Sequence, residues 1–148
     1  MKMKMKRKLL AVWMMAVLLV VSAVPAYAAL PEDEIGLMAE YHSSADASLS
    51  ISSSGVATAK GFIIGILGTT TKTTVHLYLQ RYEDGEWVDV DDWTLSQNAV
   101  GTTLTKTKSV DKGYKYRAKA SCYAYSGSDY ERVIKYSSEI SYCYAETG

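Results

Sequence analysis

The feature that most constrains the fold is a period of two that recurs in short stretches between residues 45 and 142. In residues 45–55, the apolar residues Ala47, Leu49 and Ile51 alternate with polar ones, which is the pattern of a strand with one buried face. Six similar stretches follow, each bounded by turn-forming residues: 55–65, 73–82, 86–95, 102–110, 113–125 and 128–142. Seven such strands in about 100 residues predict an antiparallel all-β sandwich.

The N-terminus carries the pattern of a cleavable signal peptide. Basic residues at positions 2, 4, 6, 7 and 8 precede an uncharged apolar run over residues 9–24. Pro25 ends this run, and Ala26 and Ala28 supply the small residues that a signal peptidase needs. The run has 16 residues, fewer than the roughly 20 that span a bilayer, which favours cleavage over a membrane anchor. We predict that residues 1–28 are removed and that the mature protein is secreted, without stable insertion into a membrane.

The mature chain is predicted to be one domain with an acidic net charge. Residues 29–44 show no clear period and are predicted to form an irregular lead-in to a sandwich over residues 45–148. Five of the 16 basic residues, and none of the 16 acidic ones, lie in the leader, so the mature chain carries a formal charge of −5. This charge argues against nucleic-acid binding, because phosphate neutralisation drives such binding.

An acidic, aromatic hairpin over residues 78–93, "YLQRYEDGEWVDVDDW", gives the best candidate for a binding face. With a turn over residues 83–86, one face is predicted to carry four cross-strand pairs, which are Tyr82 with Trp87, Gln80 with Asp89, Tyr78 with Asp91 and His76 with Trp93. The predicted binding residues are the aromatic ones on this face: Tyr78, Tyr82, Trp87 and Trp93. They would stack on sugar rings or contact a protein partner. The alternative is that Tyr82 and Trp87 only stabilise the hairpin, and that Trp87 or Trp93 folds into the core.

Two stretches resemble fibronectin type III modules. The segment "LYLQRYEDGEWVDV" resembles their C and C′ hairpin, and "KGYKYRAKASCYAYSGSDYERVIKYSSEISY" resembles their F and G strands. The likeness implies an immunoglobulin-like sandwich of seven strands, with Tyr114 as its structural tyrosine corner. Two features of the family are absent. Residues 111–113 stand in place of its proline-glycine step, and its early-strand tryptophan is missing. The layout is also similar to small uncharacterised secreted single-domain proteins of Gram-positive bacteria, a resemblance that implies a fold and no activity.

The sequence offers no recognisable catalytic or metal-binding motif. His42 and His76 do not have the spacing of a zinc-binding helix, and no nucleophile motif of the Gly-x-Ser-x-Gly type occurs. Asp89, Asp91 and Asp92 suggest calcium, but in an extended strand Asp92 is expected on the face opposite to the other two. A solvated strand edge explains these carboxylates better. We therefore predict no enzyme activity, no catalytic residue, no metal site and no cofactor.

Cys122 and Cys143 are the candidate disulfide of the chain. Two cysteines outside the cell are expected to pair. If residues 126–129 form the last hairpin loop, however, Cys122 lies opposite Val133, and Cys143 lies on the order of 30 Å further along, whereas a disulfide needs Cα atoms within about 7 Å. A bridge would require the tail to bend back. Free thiols and an intermolecular link are the alternatives.

The leading functional prediction is a secreted, non-catalytic interaction module. Its exposed aromatic face is expected to bind cell-wall glycan or an extracellular protein. Lys115, Arg117 and Lys119 alternate outward on the neighbouring strand, and we interpret them as partly neutralising the acidic hairpin rather than as a nucleic-acid site. The alternative function is a secreted effector, either an antimicrobial or toxin-like protein or an inhibitor.

Overall fold

The computed structural model describes residues 39–144, which form an antiparallel β-sandwich. The predicted signal peptide and most of the predicted lead-in lie outside the described residues. The eight strands are β1 His42–Ile51, β2 Val56–Gly65, β3 Lys72–Glu83, β4 Glu86–Gln97, β5 Gly101–Ser109, β6 Tyr114–Ser126, β7 Asp129–Tyr136 and β8 Ile140–Tyr142. The prediction of an antiparallel all-β sandwich is therefore confirmed.

The strands form two sheets. Sheet I has the order β1-β2-β5, and sheet II has the order β4-β3-β6-β7, with β8 also paired to β6. Each predicted stretch overlaps one strand, except that the last stretch overlaps two, because the chain leaves the edge of β6 after Tyr136 and returns to it at Ile140. Residues 39–144 thus contain one strand more than the seven predicted. Strand β1 begins at His42, inside the predicted lead-in.

The core lies between the sheets and combines large side chains from β3 with small ones from β2 and β6. Val75, Leu77 and Leu79 of β3 are fully buried. The residues that pack around them are alanines of β2 and β6 together with Ile63, Tyr116 and Cys122. A Cβ atom at Gly61 would lie only 2.9 Å from the Cβ of Ala120, so the glycine allows the sheets to approach closely. Because Tyr116, Ala118 and Ala120 are buried, the prediction that the cations between them alternate outward is confirmed.

The hairpin of β3 and β4 follows the predicted register only near its turn. Asp84 and Gly85 have φ angles of 52° and 86°. A tight two-residue hairpin turn requires such positive φ angles at both of its central residues. Gln80 still pairs with Asp89, as predicted, but Leu79 pairs with Asp91, so that Val90 is an extra residue in β4.

This β-bulge moves Trp93 to the other face of the sheet. Trp93 pairs with Leu77, rather than with His76, and its side chain packs against the core. The prediction that Trp93 belongs to the exposed aromatic face is therefore wrong. The physical reason is that one inserted residue inverts the facing of every later side chain in the strand, and here it brings a large apolar ring into the core.

The hydrogen bond expected of a tyrosine corner is made by Tyr116, and not by Tyr114 as predicted. The hydroxyl of Tyr116 donates a 2.7 Å hydrogen bond to the carbonyl oxygen of Asp111, and burial raises the pKa of this hydroxyl. Tyr114 lies two residues before Tyr116, at the start of β6. Its ring packs on Arg81, whose guanidinium carbon is 4.3 Å from the ring centroid. Of the two tyrosines, Tyr116 is the one whose hydroxyl reaches the loop before β6.

We expect Tyr116→Phe to destabilise the domain by about 0.5–1.5 kcal/mol, because it removes a partly buried hydrogen bond to the Asp111 carbonyl. Tyr114→Phe is the matched control and should change stability by less than about 0.5 kcal/mol. The measurement is the free energy of unfolding in urea. A larger loss of stability in the Tyr114 variant than in the Tyr116 variant would contradict this assignment.

Candidate functional site

The outer face of sheet II, which points away from the core, carries the candidate site. On this face Tyr78 of β3 lies beside Asp92 of β4 and Lys119 of β6, and Lys119 in turn lies beside Tyr136 of β7. Three of the four predicted aromatic residues are on this face: Tyr78, Tyr82 and Trp87. Cations of β6 therefore alternate with aromatic rings from three other strands.

The guanidinium group of Arg117 lies between two aromatic rings near the centre of the outer face. It is 4.2 Å from the centroid of the Trp87 ring and 4.3 Å from that of Tyr136. Its Nε donates a 2.8 Å hydrogen bond to Oε1 of Gln80, whose own amide nitrogen donates to Asp89 at 2.8 Å. Two ring contacts and a chain of hydrogen bonds thus fix the orientation of one cation.

An open pocket of about 320 Å³ lies at one end of the outer face, lined by Tyr82, Trp87, Lys115 and Glu139. The Tyr82 and Trp87 rings are 5.2 Å apart and inclined by 58°, so they form a wall and not a flat platform. Lys115 and Glu139 face each other across the pocket at 4.0 Å. Both are largely exposed, and such a weak surface pair leaves both charges available to a ligand.

A second group of rings lies at the other end of the outer face. Tyr123, Tyr125 and Tyr130 have ring centroids 5.6–6.3 Å apart, and the amino group of Lys72 is 4.9 Å from the Tyr125 ring. His76 contacts the edge of Tyr123 and makes a 2.9 Å hydrogen bond with the hydroxyl of Thr94. The role that the structure gives to His76 is therefore packing and hydrogen bonding.

The three aspartates of β4 do not converge. The bulge places Asp89 and Asp92 on the outer face and Asp91 on the opposite one, so the predicted grouping of Asp89 with Asp91 is wrong. Asp91 accepts a 2.9 Å hydrogen bond from Lys108, which lowers the pKa of its carboxyl group. Within residues 39–144 there is no group of three or more His, Cys, Asp or Glu side chains arranged to hold a metal ion.

The candidate disulfide between Cys122 and Cys143 is not formed. Cys122 pairs with Val133, as predicted, and is buried. Strand β8 continues along the same edge of β6 as β7 and places Tyr142 opposite Tyr114, so the exposed Cys143 lies at the far end of β6. The separation along β6 corresponds to on the order of 30 Å. The tail runs on along β6 and does not bend back to Cys122.

Sequence reasoning missed Tyr136 and Glu139 as members of this surface. Tyr136 is the last residue of β7, and it reaches Arg117 only because β7 lies beside β6. Glu139 lies in the short connection that was predicted to be part of one continuous strand. The outward facing of Tyr136 follows from the alternation of β7 once Val133 lies opposite Cys122, but no sequence signal indicated that its ring would cover an arginine of another strand.

The fold and the outer face together define a class, which is a β-sandwich domain with an aromatic and cationic sheet surface. No protein-family model matches the chain, and no curated protein matches its sequence. Among solved structures, it is similar to CsgH from R. palustris, known from a solution structure, with a TM-score of 0.38 and 12% identity over 63% of this chain and 90% of that one. In residues 39–144, no helix is long and apolar enough to cross a membrane.

We expect the two thiols to differ sharply in reactivity. Cys143 is exposed and should react with iodoacetamide in the native protein, whereas Cys122 should react only after unfolding, because burial raises the pKa of its thiol to about 12. Intact mass before and after alkylation, with and without urea, measures this. Protein that takes up no alkyl group in urea until a reductant is added would indicate a disulfide and contradict the structure.

Proposed function

We propose that this protein is a secreted, non-catalytic module that binds an extracellular protein through the outer face of sheet II. The observation that carries the proposal is the arginine held between Trp87 and Tyr136, with the exposed ring of Tyr82 beside it. Tryptophan, tyrosine and arginine are the residues that dominate the energetics of protein interfaces. Here a tryptophan, a tyrosine and an arginine lie in contact on the outer face of sheet II, with the arginine already oriented.

The ring geometry favours a protein partner over a cell-wall glycan. A sugar ring stacks against an open aromatic face, but one face of Trp87 is already covered by Arg117. Tyr82 is inclined to Trp87 by 58° and does not extend its plane. A protein surface with its own protruding side chains fits such an uneven wall of rings and charges better.

The proposal includes a fibronectin type III-like, and thus immunoglobulin-like, topology. The order β4-β3-β6-β7 corresponds to the C′-C-F-G order of that architecture, and β1-β2-β5 corresponds to A-B-E. The hydrogen bond from Tyr116 near the start of β6 also supports this assignment. Domains of this architecture frequently present a sheet face or loops to extracellular partners, and the N-terminal leader pattern supports secretion.

The non-catalytic role is supported by what the two histidines do. His42 contacts Glu131 at 2.9 Å, and the same carboxylate accepts hydrogen bonds from the backbone nitrogen atoms of Glu40 and Tyr41. It thereby fastens the beginning of the described chain to β7. His76 bonds Thr94 within its own sheet. Both imidazoles therefore make contacts that stabilise the fold.

Replacing both Tyr82 and Trp87 with alanine should weaken partner binding at least tenfold and leave the fold intact, because both side chains lie at a pocket on the surface. The partner is first identified by cross-linking tagged protein to the medium and surface of the cells that produce it, then purified for measurement of its dissociation constant. Phe62→Ala, which removes a ring from the outer face of sheet I, is the matched control. Unchanged binding by the double variant, or loss of its cooperative unfolding, would defeat the proposal.

A further inference from the structure

We propose that the centre of the outer face is a carboxylate-binding site, and that it receives an extended acidic segment of the protein partner. The site consists of Arg117, with Lys115 and Lys119 on either side of it along β6. This inference rests on the proposed function and specifies the chemistry of the partner. It follows from the orientation of the arginine, the spacing of the cations and the distribution of charge on the face.

Arg117 is oriented for binding but not neutralised. Its Nε is engaged by Gln80, and its plane is fixed by two rings, yet its two terminal amino groups make no hydrogen bond within the described part of the chain. Neither Arg117 nor Lys119 forms a salt bridge with a described residue. A guanidinium fork binds a carboxylate through two parallel hydrogen bonds, and here its rotamers are already restricted before binding.

The spacing of the cations fits an extended peptide. Lys115, Arg117 and Lys119 are alternate residues of β6, so they are separated by about 6.6–6.8 Å along the strand. An extended segment that lies along β6 repeats its own side chains at the same interval. Carboxylates at every second position of such a segment would therefore meet the three cations in turn.

The charge distribution on the face directs an acidic segment to β6. Strand β6 has no acidic residue, and the next strand, β7, adds Arg132 to the outer face opposite Tyr123. Two carboxylates of the face, Asp89 and Asp92, lie two strands away on β4, and Asp89 is already hydrogen-bonded to Gln80. The third, Glu139, lies 4.0 Å from Lys115 at one end of the face and leaves Arg117 and Lys119 without an acidic partner among the described residues. The positive stripe is thus local, although the mature chain has an excess of acidic residues.

Aromatic rings beside the cations reduce the cost of burying them. The amino group of Lys119 is 5.8 Å from the Tyr78 ring centroid and 6.0 Å from that of Tyr136. A partner that covers this region removes water from the cations but leaves them against the negative faces of the rings. The arrangement suits a charge pair that becomes partly desolvated on binding, where an arginine contributes most.

The test is a titration of the purified full chain with two acetylated peptides of the same composition. One alternates four glutamates with four serines, and the other places the four glutamates in one block. An oligomer of galacturonic acid is the third probe, because it carries the same chemical group on a glycan. NMR shifts of the Trp87 indole N–H and the Arg117 Nε–H, whose groups form the site, report binding at this place.

We expect the alternating peptide to bind at least threefold more tightly than the block peptide, and both to bind more tightly than the sugar acid. Arg117→Lys keeps the charge but loses the fork and should weaken binding of the alternating peptide about tenfold. The matched control is Lys106→Gln, which removes an exposed cation of sheet I and should change nothing. Thermal unfolding of each variant shows that the fold is retained.

Equal binding of the two peptides together with an unchanged affinity of Arg117→Lys would overturn the proposal, because general charge attraction would then explain the binding. Preference for the sugar acid would also overturn it, in favour of an acidic glycan. If neither peptide shifts the two reporter signals while the Tyr82 and Trp87 double variant still loses the natural partner, the carboxylate site is wrong and the binding module stands. If neither peptide shifts the reporter signals and the double variant still binds the natural partner, both the carboxylate site and the binding module are rejected.

Discussion

The pairing of β3 with β6 at the centre of sheet II is the constraint on which the rest of the structure depends. Its register places Leu77 opposite Ala120 on the inner face and Gln80 opposite Arg117 on the outer face. The large aliphatic side chains of β3 and the alanines of β6 together fill the space under sheet I, whose strand β2 is itself rich in small residues. A shift of one residue would expose this core and bury the cations, so the core and the candidate site are specified by the same register.

The β-bulge at Val90 places the two tryptophans of β4 on opposite faces of the sheet. Before the bulge, Trp87 keeps the outward facing and covers Arg117, and after it Trp93 faces inward and joins the core. A regular strand with the same sequence would expose both rings. The irregularity thus supplies a large apolar side chain to a core that is otherwise rich in alanine, while one ring remains at the surface.

The sequence was sufficient for the parts of the fold that depend on local pattern. The alternation of β6, the turn at Asp84 and Gly85 and the pairing of Cys122 with Val133 all follow from the period of two and from turn chemistry. The bulge could not be predicted, because the alternation in "VDVDDW" is compatible with either register and tertiary packing selects one. The corner hydrogen bond was assigned to Tyr114 and not to Tyr116, because both tyrosines lie on the same face and only tertiary packing determines which hydroxyl reaches Asp111.

Of the candidate site, the sequence predicted only the residues on the β3–β4 hairpin and on β6. Tyr78, Tyr82, Trp87 and Arg117 were identified from their facing, but their grouping depends on the order of β4, β3, β6 and β7 in the sheet. Tyr136 completes the enclosure of Arg117 from a strand that follows in sequence and lies on the far side of β6. A site made of contacts across four strands is a property of the topology, and no single stretch of sequence contains it.

The central claim is that Arg117 is held between two rings in the protein before any partner binds. The most direct measurement is the NMR chemical shift of the Arg117 δ-methylene protons, together with their NOE contacts to the rings of Trp87 and Tyr136. Because the guanidinium carbon lies 4.2 and 4.3 Å from the two ring centroids, the account predicts upfield ring-current shifts and contacts to both rings. Shifts typical of arginine in an unfolded chain, without those contacts, would contradict it.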